Sequence, residues 1–150
     1  MISIKVICVG KLGEQFYTQA ANEYIKRLGA FCKLEVIELP EDKTGSLEKE
    51  SISILSKIPD GAAMVAMCIE GKQIDSKELS MLISDWAVAG ISKICFIIGG
   101  STGLHENIKK EAGLKLSMSK MTFPHNLARV MLLEQIYRAF MILQGGKYHK

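Results

Sequence analysis

The sequence predicts an α/β domain in three layers around a mostly parallel sheet. Three observations point there. Short apolar runs alternate with amphipathic helical stretches along the chain, the order that β-α-β units produce. Two runs, residues 62–69 and 94–98, are apolar almost without interruption, as strands buried on both faces are. The 150 residues are 48% hydrophobic and 23% charged, enough for one domain with its own core.

Residues 2–9 are β-rich and end at Gly10. Residues 15–28 place Phe16, Ala20, Tyr24 and Leu28 at helical spacing, with Gly29 as the stop. Residues 34–39 mix Leu34, Val36, Ile37 and Leu39 with Glu35 and Glu38, as a partly exposed strand does. Residues 40–46 are polar and hold Pro40 and Gly45, so they read as a mobile loop. A second helix over 47–58 is stopped by Pro59-Asp60-Gly61. The strand at 62–69 follows, then a helix over 76–89 with Leu79, Leu82, Ile83 and Trp86 on one side. The strand at 94–98, a short helix at 104–112 and a short strand at 114–118 come next. The last helix, 124–143, carries its proline in the first turn, where it is tolerated. It is apolar nearly all round. One stripe packs a surface helix onto its own sheet, so the second apolar side predicts a homodimer. Glu134 and Arg138 make an i, i+4 pair expected to be structural.

Cys8, Cys32, Cys68 and Cys95 show no C-x-x-C spacing and three sit inside apolar runs. They read as reduced core thiols of a cytoplasmic protein. No run approaches the ~20 apolar residues of a membrane span, and no basic leader opens the chain; no membrane partner is expected. The net charge of +3 is uneven: residues 1–100 carry 11 basic and 13 acidic side chains, residues 101–150 carry 8 and 3. The basic third suits an anionic partner, nucleic acid first, although solvated helix faces would give the same count.

In a parallel sheet, ligands bind at the loops leaving the carboxyl ends of the strands. Those loops are 10–13, 70–73, 99–103 and 119–124. The loop Gly99-Gly100-Ser101-Thr102-Gly103 lets a ligand approach the backbone closely, yet it matches neither the dinucleotide fingerprint nor a P-loop. The stretch LSMSKMTFPH, residues 116–125, offers hydroxyls beside Met118, Met121 and Phe123, walls suited to a flat heterocycle. His105, His125 and His149 lack metal-ligand spacing; no metal is expected, and each reads as a surface or capping residue. From the residues alone, the chain reads as a cytoplasmic, dimeric α/β protein that binds something nucleotide-like near its basic C-terminal third.

The start VICVGKL, the loop FIIGGSTGL, the segment LSMSKMTFPHNLARVMLLEQIYRAF and the ending YHK, in that order, resemble the RlmH-type enzymes over the whole chain. These are small SPOUT methyltransferases. The resemblance implies one domain over residues 1–150, a C-terminal trefoil knot and a homodimer. It implies S-adenosylmethionine-dependent methylation of N3 of a pseudouridine in large-subunit ribosomal RNA, on the ribosome, with no DNA partner. Carried over, the cofactor cleft takes Met67, Gly99, Gly100, Ser119, Lys120, Met121, Thr122 and Phe123. Met67 stands where leucine is common in the family, a change a backbone contact survives. Tyr148, His149 and Lys150 form a flap over the neighbouring subunit's site. Removing the N3 proton calls for a base and for groups that stabilise the resulting anion. The catalytic candidates are His149 first, then Tyr148, with Arg129. His125, Arg138 and Lys150 are expected to hold the substrate.

Overall fold

The computed structural model describes residues 1–149. Ten elements alternate: β1 (Ser3–Val9), α1 (Gln15–Leu28), β2 (Lys33–Leu39), α2 (Leu47–Leu55), β3 (Ala63–Gln73), α3 (Ser76–Val88), β4 (Lys93–Ile98), α4 (Glu106–Glu111), β5 (Leu114–Ser117) and α5 (His125–Leu143). Among the described residues the sheet has five strands in the order β2-β1-β4-β3-β5, and each pairing is parallel.

Handedness then assigns the helices to faces. The steps β1 to β2 and β3 to β4 run one way across the sheet; β2 to β3 and β4 to β5 run the other way. Right-handed crossovers therefore put α1 and α3 on one face and α2 and α4 on the other. The buried side chains follow this division. Ala21, Leu28, Leu79 and Ile83 pack with Ile4, Val6 and Phe96 on the first face. Ile54 and Ile108 pack with Ile7, Val9 and Ile97 on the second. α5 joins the first face through Leu132, Leu133, Ile136, Ala139 and Phe140. Each valine, leucine, isoleucine or phenylalanine among them contributes about 1.5–3 kcal/mol on full burial.

Several expectations shift. The inward stripe of α1 runs through Ala21 and Leu28, with Tyr24 and Ile25 partly buried, while Phe16 is exposed. α2 stops at Leu55, three residues short of the expected end, because Pro59 disfavours helical backbone before it and residues 56–58 close as turns. The core takes the apolar residues of α5 named above, whereas Leu127, Val130, Met131 and Met141 are only half-buried. His105 caps α4, its Nδ1 accepting from the Asn107 N–H at 3.0 Å. The four cysteines are unpaired; Cys8, Cys32 and Cys95 are buried and Cys68 is half-buried.

The largest difference is in β3, which runs on through the expected loop 70–73. Its ladder with β5 slips there: both Met67 and Lys72 oppose Leu116. Residues 68–71 swing out of register as an irregular bulge, which re-aims their side chains. Gly71 makes this possible. A Cβ there would lie 2.7 Å from the Leu116 backbone. Gly71→Ala should lower unfolding free energy by about 1–3 kcal/mol through overpacking against backbone, read from urea melts. Gly113→Ala, whose Cβ meets open space, should stay within about 0.5 kcal/mol.

Candidate functional site

Parallel strands bring their carboxyl ends to one edge, and the exits of β3, β4 and β5 meet there. Between them lies a cleft of about 210 Å³. Its walls are Met67, Cys68 and Ile69 from β3, Ile98 to Gly100 and Gly103 after β4, residues 116–119 and 121–123 around the β5 exit, and His125 and Ala128 from α5. The bulge in β3 is what turns residues 68 and 69 toward it.

Glycine at 99 is a steric requirement. A Cβ there would sit 2.5 Å from the Gly103 carbonyl oxygen, across a loop pinned by the Gly100–Gly103 bridge. A Cβ on Gly100 would overlap the Glu41 carboxylate. Glu41 itself accepts from the Ser101 N–H at 2.9 Å and the Ser101 hydroxyl at 3.2 Å, which ties the β2–α2 loop to the glycine loop. On the opposite wall, the Ser117 hydroxyl donates to the Ser119 carbonyl at 2.9 Å, and Ser119 Oγ accepts from the Met121 N–H at 3.0 Å. The Met121 side chain stands 74% exposed at the mouth. Burial, and then the Glu70 carboxylate, push the Cys68 thiol above its ordinary range. Glu70 is held low by Lys109, 2.5 Å away.

Most expected cofactor residues converge here: Met67, Gly99, Gly100, Ser119, Met121, Thr122 and Phe123 line the cleft, and so does His125. Lys120 does not line it. Arg129 is placed elsewhere. It leaves α5 toward the β1 and β2 exits, is 3% exposed, and donates to Glu38 Oε2 at 2.6 Å and to the Gly10 carbonyl at 2.9 Å. Asn126 Nδ2 donates to the Leu12 carbonyl at 2.8 Å beside it. The loop 10–13, expected at the ligand, is thus bound to α5.

The tail docks on its own chain. The Tyr148 hydroxyl donates to Glu134 Oε2 at 2.9 Å, and its ring packs edge-on against Tyr137 at 4.9 Å. Arg138 bonds Glu134 at 2.8 Å and donates to His149 Nδ1 at 3.1 Å. The Glu134–Arg138 pair is therefore the tail's anchor as well as a helix brace. Burial, then the hydrogen bond to Glu134, raise the Tyr148 phenol well above its ordinary range. His125 and Arg138 are 13 residues apart on α5, about 20 Å at 1.5 Å per residue, so this docking keeps Tyr148 and His149 away from their own cleft. Lys150, grouped with them in the sequence, lies outside the described residues.

Sequence reasoning missed Glu38, Glu41 and Cys68. Glu38 and Glu41 look like ordinary polar residues at a strand exit, and their partners lie 91 and 60 residues away. Cys68 is apolar in pattern, and only the bulge exposes it. Among the described residues no cluster of three or more histidine, cysteine or acidic side chains could hold a metal ion, and no helix is long and apolar enough to cross a membrane. Arg129→Met, which leaves the Glu38 carboxylate and the Gly10 carbonyl without their donor, should lower stability by roughly 2–3 kcal/mol. That is less than for a fully buried pair, because Glu38 is partly solvated. Chemical denaturation measures it.

Residues 2–149 match the family described as "Predicted SPOUT methyltransferase". The chain is 50% identical to "Ribosomal RNA large subunit methyltransferase H" of Streptococcus suis (strain 05ZYH33), with 99% of this chain and 100% of that protein covered. It is 50% identical to "Ribosomal RNA large subunit methyltransferase H 1" of Clostridium perfringens (strain SM101 / Type A) at the same coverage. Among solved structures, a probable methylase family protein from Haemophilus influenzae Rd KW20 shares the fold, with a TM-score of 0.57 at 15% identity over 98% of this chain and 70% of that one. With nearly its whole length matched, the chain belongs to the SPOUT methyltransferase family and, within it, to the RlmH-type enzymes.

Proposed function

We propose that this chain, as a single domain, methylates N3 of a pseudouridine in large-subunit (23S) ribosomal RNA of the assembled ribosome. The donor is S-adenosylmethionine, and the protein works as a cytoplasmic homodimer. The observation that carries the reading is the cleft at the carboxyl edge, where the glycine loop meets residues 117–123. Relatives at 50% identity that are named as ribosomal RNA large subunit methyltransferases supply the substrate class. A C-terminal trefoil knot belongs to the same reading. It is supported by the short path from the glycine loop through β5 to residues 117–119 and 121–123, which line the same cleft before α5 crosses to the face opposite α4.

The cleft suits the donor. Met67, Ile98, Leu116, Met118 and Phe123 provide apolar walls, and three glycines bring backbone groups to the surface. S-adenosylmethionine, when bound, supplies a methyl group on a sulfonium. Walls that hold a uracil-type ring in line with it contribute part of the roughly 7–11 kcal/mol that orientation can supply. The N3 proton must be accepted and the ring anion stabilised. His149 is the base in this reading. The raised phenol of Tyr148 makes it the hydrogen-bond donor instead. Arg138, Lys150 and His125 hold the substrate's anionic and carbonyl groups. Arg129 is saturated by Glu38 and Gly10, so it positions the strand exits.

The docking of Tyr148 and His149 far from their own cleft supports the reading in which they complete the cleft of a second copy. The half-buried residues Leu127, Val130, Met131 and Met141 of α5 are the surface through which that copy packs. Lys120, between the lining residues Ser119 and Met121, stays a cofactor residue in this reading through the family resemblance alone.

Gly100→Val should abolish S-adenosylmethionine binding in calorimetry without unfolding the protein: the Glu41 side chain can yield, and the isopropyl group then fills the mouth. Unchanged affinity in the folded variant rejects the site. Labelling offers a second measure. Cys68 lines the cleft, and burial holds its thiol above the ordinary range, so its labelling by a thiol reagent should be slow at neutral pH and quicken as the pH is raised. Saturating donor should suppress it, and an unprotected Cys68 counts against the assignment.

Deletion of residues 148–150 should leave folding and donor binding intact and cut methyl transfer at least 100-fold on unmodified ribosomes. Mixing that deletion with Gly100→Val should restore part of the activity once subunits exchange. Mixed dimers without activity would show that each chain uses its own tail.

A further inference from the structure

The amino end of the sheet, opposite the cleft, carries a second basic surface. In register, Lys33 and Lys93 flank Ser3 across three adjacent strands, and Lys5 lies two residues further along β1. Neighbouring strands are about 4.8 Å apart, so the backbones of Lys33 and Lys93 stand about 10 Å from each other. These lysines belong to the face that Ile7 and Ile97 occupy, where α2 and α4 cover the carboxyl half of the strands. Toward the amino end a groove of about 290 Å³ stays open, lined by Lys5, Lys33 and Lys93 and by one carboxylate, Glu35. Lys57 joins them at the end of α2, its carbonyl accepting from Lys5 Nζ at 3.2 Å.

Lys5 is partly neutralised by Glu35 at 3.7 Å. Among the described residues, no carboxylate lies within salt-bridge distance of Lys33, Lys57 or Lys93. All three are exposed. The cluster stands against its background, since residues 1–100 carry 13 acidic and 11 basic side chains. The groove has no aromatic side chain on which a base could stack. Lysines without a stacking platform or a planar fork contact phosphates and read no sequence.

We propose that Lys33, Lys57 and Lys93, at the amino edge of the sheet, bind the sugar-phosphate backbone of ribosomal RNA outside the segment that enters the cleft. This rests on the functional reading above and extends it. The strands separate the two surfaces by roughly 20 Å, six steps of about 3.3 Å. The patch therefore orients the whole enzyme on a large RNA surface and leaves the chemistry to the cleft.

The test is the triple variant Lys33→Gln, Lys57→Gln, Lys93→Gln. Binding is measured by sedimentation with unmodified ribosomes over a range of salt, and by filter retention of deproteinised large-subunit RNA. Each phosphate contact contributes about 0.7–0.9 to the log–log salt slope, so the slope should become shallower by roughly 2 and affinity should fall about 10-fold on both probes. Donor affinity should stay unchanged, and arginine at the three positions should restore binding. Equal affinity and slope in variant and parent would overturn the proposal. So would a loss on ribosomes with none on naked RNA, which would assign the patch to an acidic protein. If the triple variant melts early, Lys33→Gln with Lys93→Gln carries the same comparison, with a slope change of about 1.5. A parent protein that binds ribosomes but transfers no methyl group would refute the functional reading, and the salt slopes would still decide the patch.

Discussion

The placement of the last helix depends on one buried guanidinium. A charge as deep as Arg129 is strongly destabilising unless it is paired and hydrogen-bonded, and here its partners are the Glu38 carboxylate and the Gly10 carbonyl. Those two groups sit at the exits of β2 and β1. Satisfying Arg129 fixes both the height and the rotation of α5 on the sheet. The start of the helix then faces the β3–β5 exits, and its far end presents Glu134 and Arg138 to the tail. An apolar stripe alone would let a helix slide by a turn at small cost; a single buried charge with fixed partners would not.

The layered fold was legible because its signals are local and repeated. Residues 62–69 and 94–98 announced central strands, and the three strand exits that form the cleft follow from a parallel sheet. What remained illegible was long-range or compensated. The pairing of Arg129 with Glu38 spans 91 residues and leaves no periodic trace. The bulge of β3 hides in a stretch that reads as a turn because Gly71 is there, whereas the glycine admits the Leu116 backbone rather than reversing the chain. The apolar character of α5 was read as a sign of two partners. Much of it belongs to its own core, since a helix lying between α1 and α3 buries more than one stripe.

The cleft itself shows a division of labour. Glycines and short hydroxyl side chains shape the backbone, with Ser117 and Ser119 closing their own turn. Long apolar residues provide the walls. Apart from His125 and the Cys68 thiol, the groups best able to take or give a proton lie outside the lining, with Tyr148 and His149 on the tail. A site built this way separates binding of the donor from assembly of the chemistry, and the second depends on where the tail lies.

The strand order also governs how the chain can assemble as it is made. β1 is central, yet one of its two neighbours, β4, begins 90 residues later, where Ser3 meets Lys93. At about 5–20 residues per second, synthesis of that interval takes roughly 5–20 s. For that time an apolar strand meant for the middle of a sheet has only β2 beside it, and the nascent protein presents an open edge to every other chain nearby. The order of strands thus makes the interval before β4 emerges the stage at which this edge is least protected.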